Sequence, residues 1–171
     1  MPQYGDPPKG QALLSQFEAK SKGRYEFDLF PELWRTADIG SYYRGRQWQS
    51  NQFVENVLPD HVPNESGIYM FVAAPHCGTL RDHSYIMYIG QARNLRTRYG
   101  QYFREKRGET DHPREPVVRF LNHLQDWLFF WFTLVPQDEL DHAEALLKDN
   151  ITPYGNTVVK IIGRLGPTQT L

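Results

Sequence analysis

Cysteine is almost missing from these 171 residues: Cys77 stands alone. An intramolecular disulfide and a cysteine-rich zinc site are therefore both excluded. Net charge is equally scarce, at −1, which argues against a protein that coats polyanions by bulk attraction. Long apolar stretches are lacking too. The longest, Trp127 to Val135, is far too short to cross a bilayer and suits a buried strand. The opening Met1-Pro2-Gln3-Tyr4-Gly5-Asp6-Pro7-Pro8 has no apolar signal core. A soluble cytoplasmic protein with no membrane partner is expected, long enough for one domain with a real core.

The net charge hides an uneven distribution. Between Gln91 and Arg107 lie Arg93, Arg96, Arg98, Arg104, Lys106 and Arg107, against the single acid Glu105. The remainder is net acidic, so any nucleic-acid contact should be one local stripe, with Arg93, Arg96, Arg104, Lys106 and Arg107 as its phosphate ligands. The plain alternative is a solvated helix face.

Residues 1–10 are rich in Pro and Gly and are expected to be disordered or loosely attached. Gln11 to Lys22 suits a short helix ended by Gly23. Tyr25 to Trp34 is aromatic-rich, and Ser41 to Trp48 interleaves Tyr42, Tyr43 and Trp48 with Arg44 and Arg46. That interleaving fits a stacking-plus-phosphate surface, or aromatics that pack an N-terminal extension onto the domain, which is the favoured reading. Ser50, Phe53, Val54, Val57 and Leu58 fit a helix that Pro59 stops. The extension is thus drawn as residues 1–57 and the domain as 58–171.

Two runs of β-type residues follow, Ile68 to Val72 and Tyr85 to Ile89, read as paired strands. Their connection holds His76, Cys77, Asp82 and His83, whose spacing matches no structural zinc site; a loop that touches substrate or merely varies is expected. Gly90 ends the second strand. Asn94 can cap a helix carrying Leu95, Tyr99, Tyr102 and Phe103, and Arg98 and Tyr102, at i and i+4, share one flank of it. Pro116 opens a further helix through Leu124. Trp127 to Val135 scarcely alternates and reads as the central, doubly covered strand. Asp138 caps a last helix that ends before Pro153, and Thr157 to Ile162 is β-prone.

Glu144 falls inside the apolar stripe of that last helix, four after Leu140 and three before Leu147. A carboxylate facing a core costs several kcal/mol unless a cation meets it. A glutamate at the end of the stripe reaching solvent, or one paired with an arginine, answers the same pattern.

With Gly67-Ile68-Tyr69, Tyr88-Ile89-Gly90, Arg98, Tyr102, Glu144 and Asn156 in this order, the sequence resembles the GIY-YIG nuclease family over about residues 58–157. The resemblance implies a single α/β domain, a small central antiparallel sheet flanked by helices. It implies a metal-dependent endonuclease that hydrolyses DNA, with Glu144 as the protein ligand of Mg²⁺ (Mn²⁺ as substitute). In that reading Tyr69 is the general base, Arg98 holds the scissile phosphate, and Tyr88 and Tyr102 orient water or phosphate. Asn156 fixes the end of the Glu144 helix region or touches phosphate. Gln91 departs from the excinuclease branch, which has lysine there. One such centre cuts one strand, so the protein acts as a monomer or a homodimer. The rival is a non-catalytic nucleic-acid-binding or protein-interaction module with the same fold.

Overall fold

The run Ile68-Tyr69-Met70-Phe71-Val72 offers no side chain to water on either side, so a strand there needs cover on both faces. The structure, a computed structural model, describes Tyr25, Phe27 and residues 45–54, 57–75 and 84–156. Strands β1 (Gln49–Gln52), β2 (Gly67–Ala73), β3 (Tyr85–Ala92) and β4 (Leu128–Leu134) form one antiparallel sheet in the order β1-β4-β2-β3. Among the described residues it is flanked by helices α1 (Leu95–Lys106), α2 (Glu115–His123) and α3 (Leu140–Ile151). The α/β architecture expected from the sequence is the one found.

Alternation along β2 sorts two cores. Tyr69, Phe71 and Ala73 meet Tyr99 and Tyr102 of α1, Phe120 of α2 and Phe130 of β4. Ile68, Met70 and Val72 meet Leu140, Ala143 and Leu147 of α3 on the other side. All seven β2 residues are buried. The doubly covered strand is therefore β2, not the expected β4. On β4, Leu128, Phe130 and Phe132 are buried while Trp131 remains 37% exposed, because the apolar stripe of α3 packs on β2 and β3. The near-continuous hydrophobicity of β4 overstated its cover.

A second correction concerns residues 50–58, expected as a helix ahead of the domain. Gln49–Gln52 instead pair with Gln52↔Phe129 through Gln49↔Phe132, since the outer edge of β4 needs backbone partners. Phe53 enters the core edge-on to Phe71 at 5.2 Å and stacked on Phe103 at 4.9 Å. Val54, Val57 and Leu58 stay exposed. The sheet thus begins inside the segment assigned to the extension.

The described parts of that extension support the packing reading. The Tyr25 hydroxyl donates to Arg119 O at 3.3 Å and its ring meets Tyr154 edge-on at 5.0 Å. Phe27 stacks on Tyr85 at 5.2 Å. Arg46 is spent on Glu139 at 3.0 Å, and Trp48 packs on the α3-side cluster. The helix expected over 11–22, Tyr42, Tyr43 and Arg44, the His76–His83 group and the strand expected over 157–162 lie outside the described residues.

The Asn94 cap forms as read: its Oδ1 accepts the Thr97 N–H at 2.8 Å. Asp138 does not cap α3; Glu139 holds that place, without a side-chain bond. The helix ends at Thr152 in a left-handed conformation (φ 46°), just before Pro153.

Candidate active site

Strand β3 carries an extra residue. Phe71 pairs with Tyr88 and Val72 with Ile86, leaving Met87 as a bulge. Met87 and Tyr88 consequently both pack in the cluster under α1 and α2. Tyr88 is thereby set against Tyr69, ring centroids 6.2 Å apart. The Tyr69 hydroxyl shares a 2.8 Å hydrogen bond with that of Tyr102, one strand and one helix away. It also lies over Gly90: a Cβ there would come 2.3 Å from the Tyr69 Oη, so any other residue would displace the hydroxyl. The second glycine triplet is thus a steric requirement of the first tyrosine.

Burial pushes the Tyr69 hydroxyl well above its ordinary pKa, and Tyr102 and Tyr88 add to the rise. Arg98 acts the other way. Tyr102 is raised too, first by burial and then by Tyr88, against the pull of Arg114. Both hydroxyls are therefore protonated at neutral pH. A base role for Tyr69 requires additional positive charge near its oxygen.

Arg98 stands between two hollows. The larger, about 500 Å³, is lined by Gln91, Arg93, Arg98, Gln101, Gln137 and Asp141 among others. The smaller, about 310 Å³, is lined by Arg98, Gln101, Arg104, Glu105, Thr110, His112 and Arg114. Of the expected basic stripe, Arg93 and Arg104 are exposed, while three members have other work. Arg96 donates to Pro59 O at 2.9 Å and Val62 O at 3.2 Å, sewing down the loop before β2. Lys106 is buried and donates to Gln125 at 3.0 Å. Arg107 pairs with Glu109 at 2.6 Å. The structure does not bring the five to one surface.

Glu144 reaches the outer edge of β3. Its Oε1 accepts the Gln91 backbone N–H at 3.1 Å and its Oε2 the Gln91 side-chain amide at 3.3 Å. Lys148, one turn on, sits 2.9 Å from Oε1. The charge inside the stripe is thus met by a lysine and an amide. A carboxylate offers about four acceptor positions, and Gln91 and Lys148 occupy three of those of Glu144. The one left suits a hydrated divalent cation, which needs few protein oxygens. Among the described residues no group of three or more His, Cys, Asp or Glu could hold a metal.

Asn156 clamps the same edge. Its Oδ1 accepts Ile89 N–H and its Nδ2 donates to Ile89 O, both at 2.7 Å. It therefore stands in for one residue of a neighbouring strand, and fixes the backbone between Tyr88 and Gly90. Asn156 acts on β3 rather than on the end of α3.

The residue missed in the sequence is Arg114. It donates to the Tyr88 hydroxyl at 2.8 Å and lies over the Tyr88 and Tyr102 rings at 5.3 and 5.4 Å. Glu105 grips it with Nε at 3.0 Å and Nη2 at 2.8 Å, and accepts its backbone N–H at 3.0 Å. Burial works against its charge, but the Glu105 hydrogen bonds and the nearby tyrosines outweigh that and raise its pKa. Because the Tyr88 oxygen accepts from Arg114, its own proton is free for another acceptor. The one signal was Glu105, the lone acid in a basic run, which needed a cation.

No family model matches the chain, and no curated protein does. Among solved structures, the chain is similar to the GIY-YIG N-terminal endonuclease domain of UvrC from Thermotoga maritima, a point mutant bound to the catalytic divalent cation. The identity is 21%, over 57% of this chain and 88% of that one, with a TM-score of 0.39.

Proposed function

We propose that the chain is a divalent-cation-dependent endonuclease that hydrolyses DNA phosphodiester bonds, one strand per active site. The observation that carries this is the gathering at the β3 edge. Tyr69 and Tyr88 stack on each other and meet Tyr102 of α1 edge-on, Arg98 walls the hollow that Gln91 also lines, and Gln91 holds Glu144. Arg98 makes no side-chain hydrogen bond to any described residue, so its fork is free to take a phosphate through two donors. That same charge favours ionisation of Tyr69, and a guanidinium so placed stabilises charge that builds on phosphorus oxygens. Tyr88, fixed by Arg114, donates its proton outward to water or phosphate. Glu144, with Gln91 holding both its oxygens, would be the protein ligand of Mg²⁺ or Mn²⁺, and the bound cation would supply charge for the leaving oxygen. The α1 face with Arg93 and Arg104 would meet the DNA backbone.

The test is cleavage of supercoiled plasmid in Mg²⁺. Glu144→Gln keeps an acceptor for the Gln91 backbone N–H, turns an amide nitrogen toward the Gln91 side chain, and removes the charge. It should leave the fold intact by thermal melting and abolish cleavage; full activity would refute the ligand assignment. A second reading, a nucleic-acid binder without catalysis, is favoured by the Glu144–Lys148 pair and the protonated Tyr69. It predicts DNA binding with no cleavage in any divalent cation.

A further inference from the structure

The smaller hollow shares Arg98 with the site above and adds groups that the reaction itself does not use. Three arginines, Arg98, Arg104 and Arg114, and His112 are among the residues that line its 310 Å³ or so. The one carboxylate in the wall, Glu105, is committed to Arg114 through both oxygens. Glu109, beside Thr110 in the chain, is held by Arg107 at 2.6 and 3.0 Å. Neither Arg98 nor Arg104 donates a side-chain hydrogen bond to any described residue. The Thr110 hydroxyl, in the same wall, also has no partner among them. Gathering like charges around a hollow is unfavourable unless an anion enters. Here the protein holds one of them rigid: Glu105 is nearly buried, at 8% exposure, and fixes the plane of Arg114. A fixed guanidinium that shares a hollow with two unspent ones suits a tetrahedral oxyanion.

We infer that this hollow is a second phosphate subsite, which takes a phosphodiester next to the scissile one on the same DNA strand. The inference rests on the nuclease reading. Arg98 and Gln101 are common to both hollows, so a strand whose scissile phosphate lies on Arg98 at the Gln91 side has a neighbouring phosphate at the Arg104 side. The subsite sets which way the strand runs across α1. It also makes binding depend on a residue pair, Arg104 and His112, that touches neither Tyr69 nor Glu144.

The test uses the full chain in the non-cleaving Glu144→Gln form, without divalent cation, and fluorescence anisotropy of a labelled duplex. Replacing Arg104 and His112 together by glutamine should weaken binding several-fold at moderate salt and lower the slope of log Kd against log salt by about one. Duplexes carrying a single neutral methylphosphonate, scanned along one strand, locate the contact. At one position the neutral linkage should weaken binding of the parent and leave the double variant unaffected. An unchanged Kd and salt slope in the double variant overturns the subsite while leaving the nuclease reading standing. So does a methylphosphonate penalty equal in both proteins at every position. Failure of the parent to bind DNA at all overturns the nuclease reading and the subsite together.

Discussion

Arg98 and Arg114 carry the same group into opposite circumstances. Arg98 borders two hollows with its fork unspent, whereas Arg114 is bound on three sides by Glu105 and Tyr88. Their variants should therefore fail differently. Arg98→Lys retains charge but loses the paired donors, so turnover should fall by orders of magnitude with an unchanged melting temperature. Normal turnover in the lysine variant would mean that charge alone matters. Arg114→Gln strands the Glu105 carboxylate, a loss of about 1–3 kcal/mol by chemical denaturation. Adding Glu105→Gln should recover most of that stability but not activity, since Tyr88 still lacks its donor. Recovery of both would reduce Arg114 to a packing residue.

At the scale of the element, β3 is the edge strand on which the site is built, and edges leave backbone groups unpaired. Asn156 takes Ile89 and Glu144 takes Gln91, alternate residues along the outer edge. The bulge at Met87 directs Tyr88 under α1. Loosening that edge should harm catalysis at a distance. Asn156→Ala removes two backbone hydrogen bonds, worth about 1 kcal/mol each, and should speed hydrogen exchange at Ile89 and Gly90. Cleavage should drop while affinity for DNA stays close to the parent's, because Asn156 is bonded to β3 and not to the basic face. Unchanged exchange at Ile89 would sink the clamp.

For the molecule as a whole, the described residues contain one Glu144, one Arg98 and one tyrosine cluster, hence one hydrolytic centre on the function proposed above. A single centre breaks one strand per encounter. On supercoiled plasmid, nicked circles should accumulate before linear product, at a rate first-order in protein. Immediate linearisation with a steep concentration dependence would instead require two protomers related by a two-fold axis. The same scale limits where DNA would lie on the function proposed above. Arg96, Lys106 and Arg107 are consumed within the fold, so the contact surface is narrower than the run of basic residues suggests.

What the sequence determined by itself was whatever depends on neighbours in the chain. The paired strands, the Asn94 cap, the i, i+4 placement of Arg98 and Tyr102 and the proline that opens α2 are local, and all were legible. The order of Tyr69, Tyr88, Arg98, Tyr102, Glu144 and Asn156 was legible as a family likeness. Tertiary structure decided the rest, because the deciding partner lies far along the chain. Gln49–Gln52 became a strand only because β4 had a free edge to fill. β4, almost wholly apolar, lost its two-sided cover to β2 because of where α3 packs. Basic side chains of similar aspect in the sequence were divided between structural bonds and open hollows by loops at residues 59–62 and 107–114. Arg114 joined the site because a buried Glu105 nine residues earlier required a cation. No local pattern specifies which of several nearby cations answers such a need; only the packing of α1 against α2 selects it.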